Sequence, residues 1–348
     1  MTGIVDPGSR ARGRAPQSEP TVPPWMAEGW WEHASAWIAE VVRAAGGDEV
    51  RNVTTWRASG SSLVVRVEAE RSAYFFKAGR LLARQEAPLL AVLHTHFPAS
   101  FPEVVAFDPL QHWMMTRAIH GRWLFLSSDL ACWRSALQRF GAIQRALASH
   151  VDDLRAVGCP VVTPWQLLDE LEDLLAADAR ASLPPLLTTR ERGRLRAAAL
   201  HWRELAEEPA IAAAPATLDH ADLHPHNVLV TENGCVYLDW EDAAVAHPFF
   251  TVLTFLGYVA RLLPDMRNAT ATLRDVYLEA WPGTDRSLLV ESFERLRPLA
   301  CVKFAIGLQR AHAQLGGPES APGARVRDTI ADCLRSALAF HVAPGRAG

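Results

Sequence analysis

The densest group of chemically active side chains in the sequence is a short stretch with Asp, Asn and a second Asp. Asp222 stands five residues before Asn227, and Asp239 follows after two apolar runs, Val228–Val230 and Cys235–Leu238. The letters between these runs, Thr-Glu-Asn-Gly, are typical of a turn, so the stretch predicts a β-hairpin. Carboxylate and amide oxygens are the ligands that Mg²⁺ prefers in proteins. The spacing therefore indicates an oxygen-rich cation site at the open end of a hairpin.

The hairpin register decides which of these side chains meet. We expect Val230 to lie opposite Val236, which places Asn227 opposite Asp239. Directly opposed residues of antiparallel strands have Cβ atoms about 4.5–5.5 Å apart. The sequence thus predicts that Asn227 and Asp239 bind the cation together. Asp222 would project into the same opening from a loop rich in His and Pro.

The same residues carry a family resemblance. The string HADLHPHN, followed by YLDWEDA, resembles the aminoglycoside phosphotransferase and choline kinase family, whose members have a protein-kinase-like fold. The resemblance implies that Asp222 orients and deprotonates an acceptor hydroxyl. It also implies that Asn227 and Asp239 hold Mg²⁺ against the phosphates of ATP. The expected activity is transfer of the γ-phosphate of Mg-ATP to a hydroxyl of a small molecule, such as an antibiotic, an amino alcohol or a sugar-like metabolite.

The N-terminal part of the chain supplies the partners that a kinase-like site needs. Only two of the 35 basic residues are lysines, Lys77 and Lys303. Lys77 ends the third of three predicted strands, where a compact ammonium would bind the α- and β-phosphates. Glu86 follows nine residues later in a predicted helix and would fix Lys77. The stretch Trp113–Thr116 would be the hinge, with the backbone of Met115 near the adenine.

The connection between the first two predicted strands consists of small residues. It reads Ala-Ser-Gly-Ser-Ser over residues 58–62. Small residues let backbone N–H groups approach oxygen atoms closely, as loops that cover phosphates do. We therefore expect Gly60, Ser61 and Ser62 to contact the nucleotide, although the loop has one glycine rather than the three of protein kinases.

Two positions depart from the family pattern. Ala221 stands where the family usually has glycine, which removes backbone freedom but no functional group. Thr251 stands near the position of an aspartate that usually supports the catalytic loop in this family. A hydroxyl can replace one hydrogen bond of that aspartate but not its charge. The second departure leaves open how the loop is supported.

Hydrophobic periodicity divides the chain into a β-rich block and a helix-rich block. The fold class we expect is α+β: a bilobal, protein-kinase-like fold with a small antiparallel sheet in the N-terminal lobe and a helical C-terminal lobe. We assign 1–24 to a disordered tail, 25–116 to the nucleotide-binding lobe and 117–348 to the catalytic and substrate lobe. The predicted strands are Asn52–Arg57, Leu63–Glu68, Ala73–Lys77, Glu103–Phe107 and His112–Thr116, with one strand pair between Val228 and Trp240. The predicted helices are Trp30–Ala45, Leu81–His96, Leu130–Ala148, Trp165–Ala177, Thr189–Leu205, Pro248–Arg261, Ala269–Ala280, Ser287–Leu315, with a kink or break near Pro298, and Val326–His341.

Composition argues against several classes of protein. The 348 residues carry a net charge of −4, so no basic field points to nucleic acid or to an anionic membrane. The longest apolar run, residues 243–260, contains His247 and Pro248 and is typical of a buried helix entered through a turn. The five cysteines form no CxxC pair, which favours a reducing cytoplasm. The expected partner is a small-molecule acceptor, and the sequence leaves its identity and the oligomeric state open.

Two alternatives explain part of the pattern. A relative that binds nucleotide without transferring phosphate would keep the same fold, although Lys77, Asp222, Asn227 and Asp239 are all present. A metallohydrolase would instead use His220, Asp222, His224 and His226 as transition-metal ligands. The metallohydrolase alternative gives no role to Lys77 or Glu86.

Overall fold

The computed structural model describes residues 23–46, 48–59, 62–79, 85–180, 185–262, 268–314 and 321–341, with the backbone alone at 260–261, 312–314 and 321–324. The predicted tail, apart from residues 23 and 24, therefore lies outside the described residues. Gly60, Ser61 and the first four residues of the predicted helix Leu81–His96 lie outside them as well.

The N-terminal block is built on a five-stranded antiparallel sheet of order β1-β2-β3-β5-β4. Its strands are β1 (Val50–Ala58), β2 (Ser62–Ala69), β3 (Ala73–Gly79), β4 (Val104–Asp108) and β5 (Trp113–Arg117). Alternate residues of β2, Leu63, Val65 and Val67, are buried, as the period of two in a strand requires. All five strands were predicted within two residues at each end.

Helix α1 (Trp30–Gly46) covers one face of this sheet. Its buried residues Ala34, Ile38 and Val42 recur at helical spacing and join a core with Phe76 and Met115 of the sheet. Helix α2 (Glu86–His96) belongs instead to the larger core, since Leu89, Leu90 and Leu93 are buried there. The start of α2 therefore lies between the sheet and the helix-rich block.

The helix-rich block contains the remaining helices among the described residues. They are α3 (Leu130–Leu147), α4 (Val151–Ala156), α5 (Pro164–Arg180), α6 (Thr189–Leu205), α7 (Phe249–Leu262), α8 (Ala269–Leu278), α9 (Arg286–Gln314) and α10 (Ala321–His341). The short α4 was not predicted, because one and a half turns are too few to show periodicity. The α+β fold class, with an antiparallel sheet followed by helices, is confirmed.

Two small sheets interrupt these helices, where the sequence predicted a single strand pair. Strand β6 (Arg122–Trp123) joins β8 (Val228–Thr231) and β9 (Gly234–Tyr237) in the order β6-β8-β9. Strand β7 (Thr217–Asp219) pairs with β10 (Ala244–Ala246). Gly121 is required before β6, because a Cβ at that position would lie 2.9 Å from the carbonyl oxygen of Val230.

The predicted hairpin register is wrong by one position. Val230 lies opposite Cys235 rather than Val236, and Thr231 lies opposite Gly234. The connection has two residues, Glu232 and Asn233, and Gly234 closes it with a φ of 119°. Outward from the turn, Leu238 donates its N–H to the carbonyl of Asn227 over 2.9 Å, so Asp239 lies one residue beyond the position expected for it.

Pro298 does not break its helix. Helix α9 runs through it from Arg286 to Gln314, although a proline removes one backbone hydrogen bond of the helix interior. Leu296, Leu299 and Val302, on both sides of Pro298, are fully or almost fully buried. Their packing holds the helix across the missing bond. Across the described part of the chain, no helix combines the length and the apolar character needed to cross a lipid bilayer.

Candidate active site

Lys77 lies among three carboxylates at the end of β3. Its Nζ is 2.8 Å from Oε2 of Glu86, 2.6 Å from Oδ1 of Asp239 and 3.2 Å from Oε2 of Glu241. The side chain is 12% exposed, so these pairs are largely shielded from water. Burial lowers the pKa of Lys77, but the three carboxylates outweigh it and raise the pKa well above its ordinary value. Lys77 is a fixed cation at this position.

Glu86 connects Lys77 to the segment that follows the hairpin. Its Oε2 pairs with Lys77, and its Oε1 accepts the backbone N–H of Trp240 over 3.1 Å. Burial raises the pKa of Glu86 to about 7, against the lowering effect of Lys77. Glu86, the first residue of α2, therefore bridges Lys77 of the sheet and Trp240, the residue after Asp239.

Asp239 adopts an unusual backbone conformation. Its φ of 65° lies in the left-handed region, which is costly for a residue with a side chain. The turn takes Asp239 out of the hairpin ladder and brings its carboxylate to Lys77, with Arg57 at 3.8 Å. Burial raises the pKa of Asp239, but Lys77 outweighs it and the net effect is a lowered pKa. Asp239 is therefore ionised.

Glu241 was not among the predicted site residues. It stands two positions after Asp239 in the string DWED, and its contact with Lys77 makes it the third carboxylate of this cluster. The oxygen atoms of Glu86, Asp239 and Glu241 lie within 4.8 Å of one another. The sequence shows that the string DWED is acidic. It does not show which of these acidic side chains contact Lys77.

Asp222 and Asn227 lie on a tight loop that follows β7. The side-chain amide of Asn227 donates to the backbone carbonyl of Asp222 over 3.2 Å, which leaves its Oδ1 to act as a ligand. The backbone N–H of Asp222 donates to the carbonyl of His220 over 2.8 Å, around Ala221 with a φ of 65°. This left-handed residue is where the family usually has glycine, so the loop keeps the geometry at a conformational cost.

A cavity of about 740 Å³ opens beside Asp222. Its wall includes acids from the loops, Asp222, Glu241 and Asp242, and residues of α9 such as Lys303 and Phe304. Desolvation and the neighbouring carboxylates raise the pKa of Asp222 to about 7 and that of Asp242 to about 6. The side chain of Asp222 keeps an exposed fraction of 40%, so it is accessible from the cavity.

The other predicted nucleotide contacts have different outcomes. Ser62 is buried at the start of β2, where its backbone N–H donates to the Oγ of Ser59 over 3.0 Å. Gly60 and Ser61 lie outside the described residues. The predicted position of the hinge needs correction, because Met115 lies in the middle of β5, opposite Phe76 on one side and Ala106 on the other. Its backbone is flanked by strands and its side chain is fully buried in the sheet core.

The histidines of the loop do not form a metal centre. His220 is fully buried, and its Nε2 donates to the carbonyl of Leu238 over 2.9 Å. Nε2 of His224 is 3.6 Å from Asp222. Within the described ranges, the groups with three convergent ligand atoms are His96, His150 and Asp153, and Glu86, Asp239 and Glu241, so the loop histidines are absent from both. The described residues therefore do not support the metallohydrolase alternative.

The sequence matches a known family over most of its length. The model of the "Phosphotransferase enzyme family" matches residues 41–290. This range contains Lys77, Glu86, Asp222, Asn227 and Asp239. Among curated proteins, none matches this chain.

Solved structures with the same fold cover nearly the whole chain. A macrolide 2′-phosphotransferase, MphH from Brachybacterium faecium, is 18% identical, with a TM-score of 0.55 over 84% of this chain and 97% of its own. Choline kinase LicA from Streptococcus pneumoniae is 14% identical, with a TM-score of 0.59 over 87% and 99%. Spectinomycin phosphotransferase APH(9)-Ia, solved with ADP and spectinomycin, is 13% identical, with a TM-score of 0.55 over 88% and 98%.

At these identities the likeness concerns the fold, whereas the family match concerns the sequence itself. Together they confirm the resemblance, the two-lobed kinase-like fold and the enzyme class that the sequence predicted. The chain belongs to the phosphotransferase enzyme family.

Proposed function

We propose that the protein is an ATP-dependent kinase that transfers the γ-phosphate of Mg-ATP to a hydroxyl of a small molecule. The observation that carries the proposal is the contact of Lys77 with both Glu86 and Asp239. A buried lysine held by a glutamate and in direct contact with an aspartate after the hairpin is the charge pattern that phosphate binding and cation binding need together.

The nucleotide side of the site rests on the sheet block. Lys77 would bind the α- and β-phosphates, with Glu86 as its fixed partner. Gly60, Ser61 and Ser62 remain the proposed phosphate loop. We place the adenine contact after β5, at residues 118–121, because the backbone of Met115 is enclosed by β3 and β4. The lobe boundary would then fall near residues 116–117, with 25–116 as the nucleotide lobe and 117–348 as the substrate lobe.

The donor set fits a magnesium ion. Asp239 offers an ionised carboxylate, and Asn227 offers an amide oxygen whose nitrogen is already engaged by Asp222. Hard oxygen donors of this kind suit Mg²⁺, which completes its shell with phosphate and water. When bound, Mg²⁺ would neutralise charge on the phosphates. Lys77 now pairs with Asp239, and phosphate would compete for that ammonium while Glu86 keeps it in place.

Asp222 would be the catalytic base. The acceptor hydroxyl would give its proton to the Asp222 carboxylate while its oxygen forms a bond to the γ-phosphorus. The bond between that phosphorus and the bridging oxygen would break, and ADP would leave with the electron pair. Phosphoryl transfer depends mainly on positioning and on charge stabilisation, so a fixed loop and a few charged groups suffice.

The cavity beside Asp222 is the proposed acceptor site. Its volume of about 740 Å³ fits a small molecule of drug-like size. Structures with this fold include phosphotransferases named for macrolides, spectinomycin and choline, which keeps antibiotics and amino alcohols among the candidates. We also propose a cytoplasmic location, since no disulfide joins the five cysteines, all of which are described.

An ADP-release screen tests the proposal. Purified protein with Mg-ATP would be presented with aminoglycosides, macrolides, choline-like amines, sugars and amino alcohols. We expect at least one hydroxyl compound to give ADP release that Asp222→Asn abolishes. Tight nucleotide binding with no turnover across the panel would support the inactive homologue instead, and activity restored by Zn²⁺ but indifferent to Lys77→Ala would contradict the kinase.

A further inference from the structure

The loop that carries Asp222 is supported by a threonine where the family usually has an aspartate. Thr251, fully buried on α7, accepts the backbone N–H of His220 over 3.0 Å. The same hydroxyl donates to Oδ1 of Asp219 over 2.6 Å. A hydroxyl has one proton to donate and lone pairs to accept, so Thr251 makes both bonds at once. A carboxylate therefore does support the loop, but it is that of Asp219 on β7 and not one on α7.

Asp219 has no exposed surface, so its charge needs a partner. Lys303 of α9 supplies one, with its Nζ 2.7 Å from Oδ2 of Asp219 and its side chain 13% exposed. Lys303 is the second of the two lysines in the chain, and both therefore lie in buried contacts with carboxylates at this site. Arginine is used nearly everywhere else, which indicates that the compact ammonium matters here as well.

The contacts form one continuous path to the reacting end of the loop. They run from Lys303 to Asp219, from Asp219 to the Thr251 hydroxyl, and from that hydroxyl to the N–H of His220. The carbonyl of His220 in turn accepts the N–H of Asp222. Lys303 also lines the cavity beside Asp222, so the path begins at the wall of the proposed acceptor site.

We propose that Lys303, Asp219 and Thr251 form a positioning relay that holds the Asp222 loop. Asp219 and Thr251 are fully buried outside the cavity wall and act through the His220 backbone, and Lys303 acts on them through its ion pair with Asp219. The proposal rests on the proposed function only where catalytic rates are the readout.

The direct test compares Thr251→Val with Thr251→Ser. Valine has nearly the shape of threonine but leaves the His220 N–H and the Asp219 carboxylate without the hydroxyl, whereas serine keeps it. We expect Thr251→Val to lower kcat by about tenfold to a hundredfold with KM for ATP within about twofold, since a displaced loop impairs positioning rather than nucleotide binding. Thr251→Ser should restore kcat to within about threefold of the native protein. Equal kcat for the valine variant and the native protein would overturn the proposal.

The role of the ion pair between Lys303 and Asp219 is tested by comparison with a second buried ion pair, that of Arg192 and Asp178. Lys303→Met leaves Asp219 as a lone buried charge, and Arg192→Met does the same to the buried Asp178, which lies on α5. Both variants should lower the Tm, but only Lys303→Met should also lower kcat. Asp219→Asn combined with Lys303→Met removes both charges, and its Tm should exceed that of Lys303→Met alone. The proposal fails if Arg192→Met loses kcat as Lys303→Met does, or if the double variant is the less stable.

A spectroscopic readout separates the relay from the proposed activity. The Nε2–H of His220 is bonded to the Leu238 carbonyl, and its ring lies 4.3 Å from that of Trp240 between centroids. The ¹⁵N resonances of His220, assigned by their loss in His220→Gln, should shift in Thr251→Val and Lys303→Met but not in Arg192→Met. If the screen finds no acceptor, this measurement still decides the relay. Unchanged His220 resonances in both relay variants would refute it whatever the enzyme does.

Discussion

The ammonium of Lys77 lies 2.6 Å from a carboxylate oxygen of Asp239, a residue 162 positions later in the chain. This contact joins the end of a strand in the sheet block to the end of the hairpin in the helix-rich block. Glu86 reinforces it, since one of its oxygens binds Lys77 and the other binds the backbone of Trp240. The three residues thus set the distance between the proposed nucleotide and cation sites.

Removing the Lys77 charge should impair ATP use. Lys77→Met leaves Glu86, Asp239 and Glu241 facing one another, so we expect KM for ATP to rise and kcat/KM to fall about a hundredfold or more. Lys77→Arg should restore little, because a planar guanidinium does not fit the place of a compact ammonium. Steady-state ADP release at varied ATP measures both effects. Arg66→Met, on the neighbouring strand, is the control and should keep kcat/KM near the native value.

The magnesium requirement should depend on Asp239. Asp239→Asn removes a charge from the proposed donor set, and we expect the Mg²⁺ concentration for half-maximal rate to rise about tenfold or more. Excess EDTA should abolish ADP release from the native protein, and added Mg²⁺ should restore it. Asp242→Asn is a matched control because it removes a nearby acid that is not a proposed ligand. A Mg²⁺ dependence that is the same in both variants would remove Asp239 from the cation site.

His247 should make the protein less stable in mild acid. Its Nε2 donates to the carbonyl of Ile211 and its Nδ1 accepts the N–H of Phe249, so the buried ring is neutral. Burial lowers the pKa of His247 to about 4, against an ordinary value of 6.5. The unfolded chain therefore binds a proton that the folded chain does not between these two pH values, and stability falls as pH drops.

The size of that effect follows from the pKa difference. It amounts to at most roughly 3 kcal/mol between pH 6.5 and 4, from one histidine. The free energy of unfolding of His247→Gln, measured by urea denaturation from pH 7 to 4.5, should fall less steeply with decreasing pH than that of the native protein. His201→Gln, at an exposed position on α6, should keep the native slope. Equal slopes for both variants would contradict a neutral buried His247.

Ala221→Gly should stabilise the loop slightly. Ala221 has a φ of 65°, which glycine adopts without the steric cost that a Cβ imposes. The gain is partly offset by the greater freedom of glycine in the unfolded chain, so we expect about 0.5–1 kcal/mol at most. Thermal unfolding measures it, with Ala243→Gly, at a fully buried position of ordinary φ, as a control that should lower the Tm. A lower Tm for Ala221→Gly would contradict strain at Ala221.

The sequence was informative wherever spacing along the chain determined geometry. Lys77, Glu86 and Asp239 could be assigned to one site because strand order and helix position follow from local periodicity. The hairpin register could not be assigned, because the letters Thr-Glu-Asn-Gly allow both a three-residue connection, which pairs Val230 with Val236, and the observed two-residue turn closed by Gly234. Strands of two or three residues, such as β6 and β7, are too short to show alternation.

The contacts that sequence reasoning missed are those between distant elements. Glu241 was not predicted as a partner of Lys77, since its orientation depends on the left-handed turn at Asp239. Lys303 is 84 positions after Asp219, and only the packing of α9 against the rest of the helix-rich block brings them together. The scarcity of lysine was the one signal that could have pointed to Lys303, because the other lysine was already assigned to the site.

The most direct test of the central claim is ADP release by Asp222→Asn with the acceptor that the screen identifies. Asparagine keeps the size of the side chain and the backbone bonds to His220 and Asn227, but it cannot take a proton from the acceptor. We predict a loss of kcat of about a thousandfold or more, with KM for ATP and the Tm close to native values. A kcat within tenfold of the native protein would contradict Asp222 as the base and, with it, the proposed site.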